Sequence, residues 1–69
     1  MNKDDKLIRA DLTSELNEVE SALLECYKNM QMVDEDELVD YYAYKIKSEE
    51  AKHKYLLNKI KEIEWAFCI

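Results

Sequence analysis

The sequence predicts an all-α protein, namely an antiparallel, coiled-coil-like two-helix hairpin that self-association completes to a four-helix bundle. The 69-residue chain has no glycine and no proline, and 38% of its residues are charged, a composition typical of long helices. Apolar residues recur at steps of three and four on both sides of one polar stretch. That stretch, residues 33–38, carries the signals of a helix start. We therefore expect a single domain over residues 1–69 with one bend.

The first helix is predicted over about residues 5–29. Its apolar stripe has the heptad spacing of an antiparallel helix pair. Asn29 is expected to end the helix in the left-handed conformation, because the chain has no glycine for that position. The stripe consists of Ile8, Leu12, Leu16, Val19, Leu23, Cys26 and Met30.

The turn is predicted at about residues 30–34 and the second helix at about residues 35–66. Asp34 is expected to cap the first turn, and Glu37 to return a hydrogen bond to the Asp34 amide. Val33 and Leu38 are expected to close over this turn as a hydrophobic staple. Together these signals predict where the second helix begins.

The seam of the second helix is apolar at both ends and polar in the middle, at Glu49 and His53. A bend at about residue 31 predicts Ile46 beside Val19. It also predicts Glu49 and His53 near Leu16, Thr13 and Leu12. We interpret Glu49 and His53 as a polar layer that fixes the register. The alternative, a metal half-site or an acid–base pair, supplies too few ligands for a closed zinc site. The seam comprises Val39, Tyr42, Ile46, Glu49, His53, Leu56, Ile60, Ile63 and Phe67.

A second stripe follows the face of this helix away from the seam. This tyrosine stripe consists of Tyr41, Tyr44, Ser48, Ala51 and Tyr55. Its small residues, between large tyrosines, would let another helix approach closely. A helix that is apolar on two faces usually has two neighbours, and a hairpin offers only one. We therefore predict that the partner is the protein itself, as a homodimer or a larger oligomer, with another protein as a further candidate.

The C-terminal residues 63–69 are unusually apolar for a chain end. Trp65 and Phe67 are expected either to cover the open end of the hairpin or dimer, or to anchor a partner protein. Cys26 and Cys68 lie near opposite ends of the hairpin, so we expect packing roles for them and no disulfide. The predicted oligomer or partner interface comprises Tyr41, Tyr44, Ser48, Ala51, Tyr55, Trp65 and Phe67.

Composition also restricts the function classes. The acidic chain has a net charge of −6, which disfavours nucleic-acid and anionic-membrane partners. The longest apolar run is far shorter than the ~20 residues that span a bilayer, and no signal peptide is recognisable. We therefore expect a cytoplasmic protein without membrane insertion. No glycine loop could hold a phosphate and no nucleophile has an activating neighbour. We predict no enzyme, no cofactor, and no catalytic or metal-binding residue.

Residues 34–47 and 50–57 carry a family resemblance. An acidic turn precedes a segment similar to the pattern D-x-x-L-I-D-x-Y-I-Y, and a later K-Y-x-Y-L-L pattern is matched by residues 54–57 without its spacer. The chain resembles, from about Leu12 to Ile63, the YaaL-like family of small helical proteins from Gram-positive spore-formers. The resemblance implies a short cytoplasmic helical protein with no assigned activity, and it carries over no catalytic residue.

A second resemblance is to the small helical-hairpin phosphatases that act on sporulation response regulators. These proteins share the length, acidity and hairpin layout, and they carry a Ser-Gln-x-x-Asp motif on the second helix. Residues 38–46 of this chain hold tyrosines and no Ser-Gln pair. We therefore predict a non-enzymatic helical protein–protein interaction module, with regulation as one use. The alternative is a phosphatase-like effector of a response regulator.

Overall fold

The computed structural model describes the backbone of residues 3–67 and the side chains of residues 6–65. Helix α1 spans Lys3–Met32 and helix α2 spans Asp36–Phe67, and residues 33–35 connect them. The two helices pack along one another in a rod that measures 51 × 15 × 13 Å. No strand occurs between residues 3 and 67. The all-α two-helix hairpin is confirmed, whereas the four-helix bundle stays a prediction.

The connection lies later in the chain than the sequence suggested. Helix α1 continues through Asn29 to Met32, and no residue of the described backbone has a positive φ. The prediction that Asn29 ends α1 in the left-handed conformation is therefore wrong. Continuing the helix keeps Asn29 and Met30 half-buried, a gain in packing that a break at Asn29 would forfeit.

Helix α2 begins one residue later than an Asp34 cap would place it. The amides of Leu38 and Val39 donate to the carbonyl oxygen of Glu35 at 3.1 and 3.0 Å. Glu35 is therefore the N-cap residue, and the predicted cap at Asp34 is wrong. The predicted capping box and hydrophobic staple are defined by their distance from an N-cap at Asp34. Neither has the required spacing when Glu35 is the N-cap. A cap contributes only about 1 kcal/mol, so the packing of the seam outweighs it in setting the first turn.

The core is a narrow seam between the helices. Among the side chains of residues 6–65 the buried hydrophobic ones are Val19, Cys26, Ile46 and Leu56, which are 1–8% exposed. The other predicted seam residues in this range are half-buried, except Ile8, which is 49% exposed near the open end. The predicted seam and the packing role of Cys26 are confirmed. Cys68 and the Phe67 side chain lie outside the described residues.

The register of the two helices differs from the prediction. Residue His53 lies beside Glu20, about two turns further along α1 than its predicted neighbours Leu12 and Thr13. Lys45 likewise lines a depression with Cys26, although its neighbour Ile46 was predicted beside Val19. The predicted register is wrong because the bend is centred near residue 34. Moving a bend along the chain shifts every cross-helix partner by about twice that distance.

Candidate interaction face

The tyrosine stripe is an open face of α2. Tyr41 is 53% exposed, Tyr44 is 74% exposed and Tyr55 is 57% exposed. Ser48 and Ala51, which lie between them, are exposed as well. The structure therefore brings all five members of the predicted stripe together on one surface that α1 does not cover.

Aromatic and cationic contacts orient the rings at both ends of the stripe. Tyr41 packs edge-to-face on the half-buried Tyr42, with ring centroids 5.0 Å apart and planes at 72°. The Nζ atom of Lys45 lies 5.8 Å from the centroid of Tyr41, and that of Lys59 lies 5.7 Å from the centroid of Tyr55. Such cation–π contacts contribute ~0.5–1 kcal/mol at exposed sites. The stripe thus presents aromatic rings together with ammonium groups.

Lys45 connects the stripe electrostatically to α1. Tyr41 is the largest cause of the raised pKa of Lys45, followed by Cys26, and Glu25 of α1 adds a smaller contribution. Opposite charges nearby favour the ammonium form. The same groups line a shallow depression between the helices, formed by Ala22, Glu25, Cys26, Asn29, Tyr41, Tyr42 and Lys45.

Two charged rows extend from this depression along the same face of the hairpin. The lysine row consists of Lys45, Lys52 and Lys59, and the acidic row of α1 consists of Asp11, Glu18 and Glu25; both are spaced by seven residues. Residues seven apart are only about 20° from alignment on a helix. Because the helices are antiparallel and Glu25 lies near Lys45, each later lysine is level with an earlier acid.

The opposite face of the hairpin is joined by contacts between the helices. Arg9 forms an ion pair with Glu64, and the Tyr27 hydroxyl donates to Glu50 at 2.8 Å. The hydrogen bond to Glu50 is the largest cause of the raised pKa of Tyr27, followed by slight burial and by the Glu50 charge. A third link joins the Nε2 atom of His53 to the Oε1 atom of Glu20 at 3.2 Å.

The predicted polar layer at Glu49 and His53 is half-buried. Among the described side chains, its one polar contact with α1 joins His53 to Glu20 on this paired face. Within the described part of the chain, no group of three or more His, Cys, Asp or Glu side chains is arranged to hold a metal ion.

The two charged rows differ from the paired face. Among residues 6–65 the ion pairs within 4 Å are Arg9–Glu64, His53–Glu20 and Lys59–Glu62, and none joins the lysine row to the acidic row. Lys59 and Glu62 both belong to α2 and are 3.4 Å apart. The lysine row and the acidic row thus lie at matching heights, but no ion pair connects them across the seam. Sequence analysis did not identify them, although their seven-residue spacing was visible.

Trp65 lies apart from the tyrosine stripe. It is ten residues beyond Tyr55, which corresponds to about 15 Å along α2 and a rotation of about 80°. Its ring is 71% exposed, so it does not cover the open end of the single hairpin. It lines an open groove with Asn58, Lys61, Glu62 and Glu64. The side chain of Phe67, the other predicted C-terminal interface residue, lies outside the described range.

Comparisons with known proteins gave no significant match to a family model, a curated protein or a solved structure. The resemblances to the YaaL-like family and to the sporulation phosphatases therefore stay predictions. Neither α1 nor α2, over residues 3–67, contains a segment long and apolar enough to cross a membrane.

Proposed function

We propose that the chain is a non-enzymatic, cytoplasmic interaction module that associates with itself through the tyrosine stripe of α2. The observation that carries this proposal is the exposure of Tyr41, Tyr44 and Tyr55, which are 53–74% exposed on one helix face. Tyrosine is enriched at protein interfaces because its large ring buries apolar area while its hydroxyl finds a polar partner. Lys45 and Lys59 already restrict the rings of Tyr41 and Tyr55. These rings therefore lose less conformational entropy when a partner binds.

The small core supports association as well. Among residues 6–65, four hydrophobic side chains are buried. Ten large apolar side chains in the same range are at least 41% exposed. Chains of this size bury a smaller fraction of their surface than larger domains do, and oligomerisation is a common way to add to it. Each Å² of apolar surface removed from water contributes about 25 cal/mol. Covering the stripe would therefore stabilise the hairpin itself.

The dimensions of the hairpin fit a dimer of ordinary size. A face of 51 by 15 Å has a projected area close to the ~800 Å² that each partner contributes to a standard interface. A second copy of equal length would cover that face from end to end. A homodimer built from two hairpins would then have the layout of a four-helix bundle.

Sedimentation equilibrium at micromolar concentration tests the proposal. We expect a mass of twice the 8.3 kDa of the chain. Tyr55→Glu should shift the equilibrium to monomer, because it places a carboxylate on the covered face. Leu24→Glu is the matched control: both side chains are 57% exposed, and Leu24 follows Glu20 by one turn on the paired face. A wild-type monomer throughout this range, or equal effects of the two substitutions, would refute the proposal.

The enzymatic alternative has its own test. Residues 38–46 of α2 contain Asp40 but no Ser-Gln pair, so they lack the side-chain amide that the resembling phosphatases use to position water at a phosphoaspartate. We expect a phosphorylated receiver domain to lose phosphate at the same rate with and without the protein. A faster loss that scales with protein concentration would contradict the non-enzymatic assignment.

A further inference from the structure

We infer that the tyrosine face of α2 docks on the acidic row of α1 in a second copy, so that each α2 lies against the partner's α1. This inference rests on the proposed self-association and specifies its geometry. The middle parts of the two helices differ in charge, although each whole helix carries both signs. Residues 11–25 carry five acids and no lysine or arginine, whereas residues 45–61 carry six lysines and two acids.

Charge decides between the two ways in which a hairpin could pair through this face. Packing α2 on the partner's α2 through this face would bring the two lysine rows together, with three lysines from each chain. Like charges at close range cost free energy, whereas opposite charges steer association and set specificity. Packing α2 on the partner's α1 instead places the lysine row of each chain against the acidic row of the other.

A two-fold axis parallel to the helices produces this second arrangement. Rotation about such an axis leaves every residue at the same height along the rod. The partner's α1 therefore runs antiparallel to α2, and its residues keep the register that α1 has within the chain. Glu25 and Lys45 line one depression in that register, so they come to the same height between the copies. The seven-residue spacing brings the remaining members of both rows to matching heights.

The side chains between the charges are compatible with close approach. At the heights that this register defines, Ser48 is level with Ala22 of α1, and Tyr55 is level with the region of Ser14 and Glu18. The small side chains of Ser48 and Ala22 at one height let the two helices approach closely there. No ion pair within residues 6–65 joins the two rows, although Lys59 is paired with Glu62 of its own helix. The acidic row is therefore open to a partner's lysine row.

A complete charge swap tests this arrangement, and it keeps opposite charges on the two rows within each hairpin. The swapped chain keeps the net charge of −6 and exchanges the two rows. Surface pairs contribute ~0.2–1 kcal/mol each. Six unfavourable pairs should therefore make the mixed dimer of wild-type and swapped chains at least about tenfold weaker than either homodimer. The substitutions are Asp11→Lys, Glu18→Lys, Glu25→Lys, Lys45→Glu, Lys52→Glu and Lys59→Glu.

Native mass spectrometry of a mixture with one chain labelled by ¹⁵N counts the three dimers. We expect two homodimers and almost no mixed dimer. If α2 packs on the partner's α2, the mixed dimer dominates, because it alone pairs lysines with carboxylates; that result would overturn the inference but not the proposed self-association. A statistical mixture would also overturn it. If the wild-type chain is monomeric in this experiment, the proposed self-association is itself refuted.

A milder pair of variants covers the case in which the swapped chain fails to fold. Glu18→Arg changes an exposed member of the acidic row in each copy, and the two altered pairs should weaken the wild-type dimer about two- to thirtyfold. Asn17→Arg places the same side chain on the neighbouring exposed position, about 100° around α1, and should leave the dimer unchanged. Equal dimerisation of the two folded variants would overturn the inference.

Discussion

Leu56→Ala tests whether the seam between α1 and α2 holds the hairpin together. Leu56 is the one large side chain among residues 6–65 with less than 2% exposure. Replacing it removes three buried carbon atoms and leaves a space that two packed helices close only in part. Comparable substitutions cost 2–5 kcal/mol, and a two-helix interface can collapse more readily than a large core, so we expect about 2–3 kcal/mol.

This loss is large compared with the stability of so small a chain. At ~0.05–0.15 kcal/mol per residue, a protein of 69 residues has a free energy of unfolding of roughly 3–10 kcal/mol. Each kcal/mol corresponds to about 4–8 °C in the melting temperature of a domain of this size. We therefore expect the melting temperature of Leu56→Ala to fall by about 8 °C or more.

Circular dichroism during urea and thermal unfolding measures the effect. Wild type and variants are compared at one protein concentration, because self-association makes the melting temperature depend on concentration. Leu24→Ala is the matched control, since it removes the same atoms from a side chain that is 57% exposed. Its cost should stay below about 0.5 kcal/mol. Equal losses in the two variants would refute the assignment of Leu56 to the core.

Three further predictions concern the helix ends and the paired face. Asn29→Gly should lower stability by ~0.5–1 kcal/mol in urea unfolding, because residue 29 is inside α1; a gain would indicate a left-handed helix end instead. Glu35→Ser should raise stability by ~0.5–1 kcal/mol, since serine caps a helix better; no change would contradict Glu35 as the N-cap. Tyr27→Phe should lessen the loss of stability at alkaline pH. The Tyr27 pKa is raised in the folded state, so the folded chain holds this proton longer, and stability is lost as pH rises above 10.0. Melting temperatures measured between pH 9 and 11 check this, and identical profiles of wild type and variant would contradict it.

The elements that sequence analysis predicted correctly are those that local periodicity defines. All four buried core residues lie on the predicted stripes, whose members follow one another at steps of three and four: Val19 and Cys26 in α1, and Ile46 and Leu56 in α2. The tyrosine stripe was likewise visible as a helical repeat, and its members are exposed together. Both results follow from the fixed rotation of about 100° per residue, which needs no knowledge of the partner helix.

The errors concern features that depend on small free energies. The cap lies at Glu35 instead of Asp34, and α1 continues past Asn29. Capping and end preferences amount to about 1 kcal/mol, which the burial of a few seam side chains exceeds. No motif near the bend could therefore show which residue would start α2.

The sequence by itself determined that this chain forms two long helices, which residues line their seam and which tyrosines share the outer face of α2. The tertiary structure alone decided the register, and with it the contact of His53 with Glu20 and the alignment of Lys45 with Glu25. The physical reason is that helical periodicity acts within each helix, whereas register depends on where the chain reverses. A heptad repeat looks much the same after a slide of one or two turns, so only the packed hairpin distinguishes the alternatives.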